Sequence, residues 1–233
     1  MPDLFTRYSR QIAVPQIGEE GQRKLCRAKV LIIGCGALGS MVAMQLAVAG
    51  IKNLGIADYD NVDITNLQRQ FFFKTDEAGL SKVELLSHRI QELNPDVKVV
   101  IYKDVINKIK AKEIFPDYDF IIDASDNPDT KKITGEISFE KDKPCCIGGV
   151  REFMGQVMTF LPLDSRFEDY FGNMGIEGFL PCSLSGVIGP AAVFCAAVQA
   201  SEAIKFIVGT GSLLSGKLFL FNLLNDEFKV LSL

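Results

Sequence analysis

The sequence predicts an α/β fold: a Rossmann-like, mostly parallel sheet with helices on both faces, extended by antiparallel strands in its C-terminal part. Three observations carry this. Up to about residue 143, short apolar runs alternate with helix-forming segments, as in a parallel sheet covered on both sides. An apolar run, "KVLII", ends in Gly34-x-Gly36-x-x-Gly39 and leads straight into a helical segment. After Lys143 the alternation stops, and "PCCIGGV" and "GQVMTFL" follow as strands with little helix between them.

Taken in order, the helical segment "EEGQRKLCRA" precedes a first strand at 30–33. Ala37–Ala49 is apolar almost all round, so its helix is expected to be buried on two sides, and Gly50 stands where a left-handed C-cap is needed. The strand "NLGIAD" ends at Asp58. A helix over 81–93 starts with Ser81 as its capping residue and stops before Pro95. "VKVVIY", a weak helix to Phe115, and the buried strand "YDFIIDA" complete the parallel part. Residues 162–186 hold four glycines and no periodicity, the mark of a functional lid or a disordered stretch. A helix over 189–208 and two strands, "GKLFLFN" and "EFKVLSL", finish the chain. With no repeat, low complexity or linker, residues 1–233 are read as one domain, its first half ending near 143.

At 233 residues, 48% hydrophobic and 23% charged, the chain suits one full-sized globular domain. A net charge of −4 argues against nucleic-acid binding, because no basic stripe could neutralise many phosphates. The N-terminal "MPDLFTRYSRQ" carries charges and lacks an apolar core, so no signal peptide is expected. The most apolar stretch, 187–198, is short of the roughly 20 residues that span a bilayer. A cytoplasmic protein without membrane attachment is expected. No Cys-x-x-Cys pair is present, and Cys26, Cys35 and Cys195 lie in apolar stretches as small core residues. The single histidine, His88, sits in a polar helical segment, which removes most histidine-dependent mechanisms.

The glycines allow a tight turn and close approach of a phosphate, with helix amides facing the anion. Asp58, 19 positions past Gly39, can accept ribose hydroxyls at the end of the second strand. These features serve NAD and ATP equally. The residues after Asp58 separate the two: "DYDNVDITNLQRQFFF" sets Asn66, Gln68, Arg69 and Gln70 beyond the second strand, on the ligand side. A triphosphate under attack needs such guanidinium and amide groups, and a nicotinamide cofactor does not.

At these residues the chain resembles the ThiF/MoeB/HesA family, bacterial relatives of ubiquitin-activating enzymes. "RYSRQI", "GCGALGS", "DYDNVDITNLQRQF", "GLSKVE" and "DASDN" occur in that family's order and spacing, from Arg7 to about Phe221. The resemblance implies transfer of AMP from ATP to the C-terminal carboxylate of a small ubiquitin-like sulfur-carrier protein ending in Gly-Gly. It implies that Gly34, Gly36 and Gly39 shape the phosphate loop and that Asp58 binds ribose. Asn66, Arg69 and Lys82 would contact phosphates with Gln70 beside them, and Asp126 would hold magnesium with Asn127 adjoining. Arg10 would reach the ATP of a second subunit, making the active unit a homodimer, and 144–233 would supply the carrier-binding sheet and crossover loop. An ionised carboxylate attacking with pyrophosphate as leaving group needs no general base, which suits this residue inventory.

Many family members carry two Cys-x-x-Cys pairs for a structural zinc; their absence here predicts no zinc site. Cys182, in "PCSLSGVIGP", matches the cysteine that can link covalently to the carrier in ThiF-type proteins. The same stretch resembles the ThiF type most closely, which favours a ThiS-like carrier and thiamin biosynthesis over a MoaD-type carrier and molybdopterin synthesis. Adenylation of a small-molecule carboxylate, a non-catalytic nucleotide-binding scaffold and an NAD-dependent oxidoreductase are the competing functions.

Overall fold

The computed structural model describes residues 4–162 and 186–233. The lid expected over 162–186 falls almost wholly outside the described residues, and so does Cys182.

At the centre of the sheet lies β1 (Lys29–Ile33), whose last four side chains are buried. It pairs in parallel with β2 (Asn53–Ala57) on one side and β4 (Phe120–Asp123) on the other. From β1 the chain runs through α3 (Ala37–Ala49) to β2, then through α4 (Lys82–Leu93) to β3 (Lys98–Tyr102) beyond it. It then crosses back over β1 by way of α5 (Lys108–Ile114) to reach β4. Winding therefore reverses between β1 and β4, and their C-terminal ends open a crevice there. After α6 (Pro128–Glu140), β5 (Cys145–Arg151) pairs in parallel with β4 only over Cys145–Ile147. Antiparallel β6 (Met154–Phe160), β7 (Lys217–Asn222) and β8 (Glu227–Ser232) then extend the sheet. The described residues thus form a sheet ordered β3-β2-β1-β4-β5-β6-β7-β8, the α/β class expected, with antiparallel pairing where the alternation stops.

Two apolar cores lie on its two faces. On one, Leu25, Leu46, Leu86 and Ala196 pack from α2 (Gly18–Arg27), α3, α4 and the last helix, α7 (Gly189–Val208). On the other, Ala111 and Ile114 of α5 and Ile137 of α6 cover Leu31, Ile121 and Ile147. Helix α3 is wedged between β1 and α7, which explains its uniformly apolar surface, and Gly50 ends it at φ 97°. By length and composition α7 is long and apolar enough to cross a membrane, longer than the stretch singled out in the sequence. In this fold it is a core helix packed on α3, β4, β5 and β6.

Two helices are not evident from the sequence. The first, α1 (Leu4–Ile12), buries Tyr8, whose hydroxyl accepts from Asn94 Nδ2 at 3.0 Å, while Arg7 donates to the Leu93 carbonyl. The second, α6, faces the core with Lys131, Thr134, Gly135 and Ser138 as well as Ile137, so its buried face lacks an apolar period. Ser81 does stand at the N-cap of α4, but its side chain makes no capping hydrogen bond.

The loop between β1 and α3 is closed by steric contact. Gly34 has φ +90°, and its amide donates to the Ala57 carbonyl at 2.8 Å. Behind it, a Cβ on Gly39 would lie 1.7 Å from the Gly34 carbonyl oxygen, so only glycine lets the helix start this close to the strand. Gly39→Ala must push α3 off β1; urea unfolding should show a loss of at least about 1–3 kcal/mol, the range for overpacked cores. An unaltered midpoint would show that the helix tolerates the shift.

Candidate functional site

The crevice widens into a cavity of about 490 Å³ along the C-terminal ends of β1, β2, β4 and β5, within the range of small-molecule sites. Its floor is the start of α3. Gly36 occupies the N-cap without a side-chain cap, and Gly36, Ala37 and Leu38 line the cavity, so the first amides of a 13-residue helix are aimed at a ligand.

Asp58 closes one wall. Its Oδ2 accepts from the Cys35 amide at 2.6 Å and its Oδ1 from the Asp60 amide at 2.8 Å. Each oxygen retains a lone pair, enough for two ribose hydroxyls. Burial raises the Asp58 carboxyl above the ordinary carboxylate range, opposed by those two amides and by Lys82. Burial, then Asp58, also push the Cys35 thiol well up, so it is a neutral core group and no nucleophile.

The polar stretch after Asp58 forms a short turn. The side chain of Asp63 caps it at the Thr65 amide, and the Asn66 carbonyl accepts from the amides of Arg69 and Gln70. The turn thereby directs Arg69 and Gln70 into the cavity. Arg69 Nη1 donates to the Thr65 carbonyl at 3.2 Å. Gln70 is buried over Gly36, and its Oε1 has no hydrogen-bond partner among the described residues. Asn66 organises this turn through its backbone and does not itself line the cavity. Lys82, the first residue of α4, is nearly buried and holds Asp60 Oδ2 at 3.0 Å.

The opposite wall comes from β4. Asp126 is exposed, lines the cavity, and makes no hydrogen bond or ion pair among the described residues. Among these residues no group of three or more metal-ligating side chains occurs. The uncommitted Asp126 carboxylate is the group on this wall that could offer oxygen ligands to a divalent cation shared with a bound molecule and water. Asn127 also lines the cavity, but its Oδ1 is committed to the amides of Asp129 and Thr130, capping α6.

Asp123 and Lys131 carry no assignment from the sequence. The Asp123 carboxylate, fully buried at the end of β4, accepts from the Ser125 amide, Ser125 Oγ, Thr134 Oγ1 and Lys131 Nζ. Lys131 Nζ also donates to the Gly148 carbonyl at 2.7 Å and lines the cavity. An acidic residue closing an otherwise apolar strand is the available signal; Lys131 sits on α6, which the sequence does not reveal.

Of the residues singled out in the sequence, Gly34, Gly36, Asp58, Arg69, Gln70, Lys82, Asp126 and Asn127 line one cavity, with Gly39 beneath the glycine turn. Arg10 does not. It is exposed on α1, and its neighbour Gln11 donates to the carbonyl of Ala49, the last residue of α3. Thirteen residues at about 1.5 Å each put that end on the order of 20 Å from the glycine turn, beyond reach of one side chain.

The ThiF family model matches residues 8–233. The chain belongs to the ThiF family. It is 37% identical over 228 residues to a probable molybdopterin-synthase adenylyltransferase of Porphyra purpurea, covering 97% of this chain and 60% of that protein. It is 34% identical over 233 residues to the sulfur carrier protein adenylyltransferase of Thermus thermophilus, covering 97% of this chain and 86% of that one. This ThiF-family chain also superposes on the crystal structure of PaaA with a TM-score of 0.84 at 24% identity, over 100% of its own length and 74% of that chain. E. coli MccB with ATP gives 0.84 at 23% identity, over 100% and 73%. At these identities the structural likeness concerns the fold.

The buried Lys131–Asp123 pair makes a direct prediction for this ThiF-family chain. Lys131→Met strands a buried carboxylate and should cost about 3–5 kcal/mol in denaturant unfolding. Adding Asp123→Asn should recover part of that loss. Equal stability of wild type and the single variant would mean that the ion pair contributes nothing to the fold.

Proposed function

We propose that this chain adenylates the C-terminal carboxylate of a small ubiquitin-like sulfur-carrier protein, using ATP and releasing pyrophosphate. One observation carries the proposal. Arg69, Lys82 and the amides at the start of α3 face one cavity with Asp58 and Asp126, an array for polyphosphate rather than for acid–base chemistry. The names of its relatives support the same reaction class.

Asp58 would take the ribose hydroxyls and the α3 amides a phosphate. Arg69 would offset charge on the reacting phosphates, joined by Lys82 as its ammonium turns from Asp60 to the ligand. A carrier carboxylate oxygen forms a bond to the α-phosphorus while the bond from that phosphorus to the departing pyrophosphate oxygen breaks. Both anions are ionised at neutral pH, so no proton moves and no histidine is needed. Magnesium held by Asp126 would supply further charge neutralisation to the phosphates. Arg10, on the order of 20 Å from its own cavity, would act in the site of a second copy, so the working unit is a homodimer. Both carrier types remain in this proposal: relatives named for molybdopterin synthase stand beside one named for sulfur carriers, which supports a MoaD-type carrier as well as a ThiS-like one.

ATP–pyrophosphate exchange with carriers ending in Gly-Gly tests the reading. Arg69→Ala and Lys82→Ala should each slow exchange on the order of 100- to 1,000-fold, the cost of one lost electrostatic contact. Arg10→Ala mixed with Arg69→Ala should regain activity, because one composite site per heterodimer is intact. Cys182→Ser should exchange within a few-fold of wild type and lose only a covalent carrier adduct. Wild-type protein that exchanges with no such carrier would refute the proposal.

A further inference from the structure

Helix α7 is apolar along most of its length, yet it buries two polar side chains, Gln199 and Glu202. Glu202 has a structural explanation. It accepts from Thr159 Oγ1 at 2.6 Å and the Leu214 amide at 2.8 Å, and it pairs with Lys205, tying β6 to the segment before β7. Gln199 does not stabilise the fold in the same way. Its Nε2 donates to the Asp123 carbonyl at 2.9 Å and reaches the Cys146 carbonyl at 3.5 Å, while its Oε1 has no partner among the described residues. A half-satisfied amide in a core is worse for stability than an apolar side chain of similar size.

The surroundings are shaped to keep it. A Cβ on Gly148 would lie 2.5 Å from Gln199 Cδ, so β5 is bare of side chain where the amide passes. The carbonyl it holds belongs to the residue at which β4 ends and the turn carrying Asp126 begins. The side chain of that same residue holds Ser125, Thr134 and Lys131.

We infer that Gln199 is a positioning residue: from behind the sheet it fixes Asp123, and through it the aim of Asp126 and Lys131. It touches no ligand, since it does not line the cavity. The catalytic part of the inference rests on the adenylation proposed above.

Gln199→Met keeps the length and removes both the donor and the orphan acceptor. In ligand-free protein, hydrogen exchange over 121–131 should accelerate on the order of tenfold, with 30–33 and 83–90 unchanged. In the exchange assay kcat should fall on the order of 10- to 100-fold with KM for ATP within about threefold, as expected of a small misplacement made from a distance. Gly148→Ala, which displaces the amide without removing it, should give the same signature, and it decides the matter if Gln199→Met does not fold. Unchanged protection of 121–131 with unchanged kcat in a folded variant would overturn the inference. Uniform acceleration across the chain would also overturn it, by making Gln199 a general stabiliser. If wild type performs no exchange, the adenylation reading fails, and the hydrogen-exchange arm still decides whether Gln199 orders the turn.

Discussion

The hydrogen bond from the Cys35 amide to the Asp58 carboxylate, 2.6 Å long, is the contact on which the rest of the site depends. It joins the turn after β1 to the end of β2, beside the Gly34 amide to Ala57 carbonyl bond that continues the ladder. With the turn held, Gly39 packs against the Gly34 carbonyl, and Gly36, Ala37 and Leu38 at the start of α3 line the crevice. The other oxygen of Asp58 takes the Asp60 amide and so turns the chain toward Lys82. A half-buried carboxylate pays for burial with a raised pKa and in return holds the glycine turn and the segment leading to Lys82.

The far wall is organised by the opposite strategy, a buried charge pair instead of a closed backbone turn. Asp123 and Lys131 could be exchanged for apolar residues only if the Ser125 and Thr134 donors found other acceptors. The arrangement ties the start of the turn carrying Asp126 to α6 while leaving the Asp126 carboxylate itself uncommitted. Lys82 is held differently, by one carboxylate that is itself half exposed. A ligand phosphate can replace that single partner without leaving a fully buried acid unpaired, so the cation is available where Lys131 is not.

Much of this is legible in the sequence because local chemistry and fold agree there. The apolar runs of β1, β2 and β4 allow only a covered parallel sheet, and Gly50 ends α3 in the conformation its identity suggests. Arg69 and Gln70 are readable as site residues because polar groups concentrated after an apolar strand have few structural uses. Asn66 belongs to the same cluster, yet it acts through its carbonyl, a role that side-chain chemistry does not signal. Helix α6 escapes notice since its buried face is mostly polar and small, and α1 because Tyr8, Gln11 and Arg7 attach by hydrogen bonds to helix ends far along the chain. Gln199 is hidden for the converse reason: one polar residue in an apolar helix shows nothing of the carbonyls it meets 50 and more positions away.

If the proposed adenylation is right, the glycine turn and the cations after Asp58 form a triphosphate site, not a dinucleotide site. Calorimetric titration of the same protein with ATP and with NAD, each with magnesium, tests it most directly. ATP should bind at least about tenfold more tightly, a difference of about 1.4 kcal/mol. NAD binding as tightly as ATP, or more tightly, would contradict it.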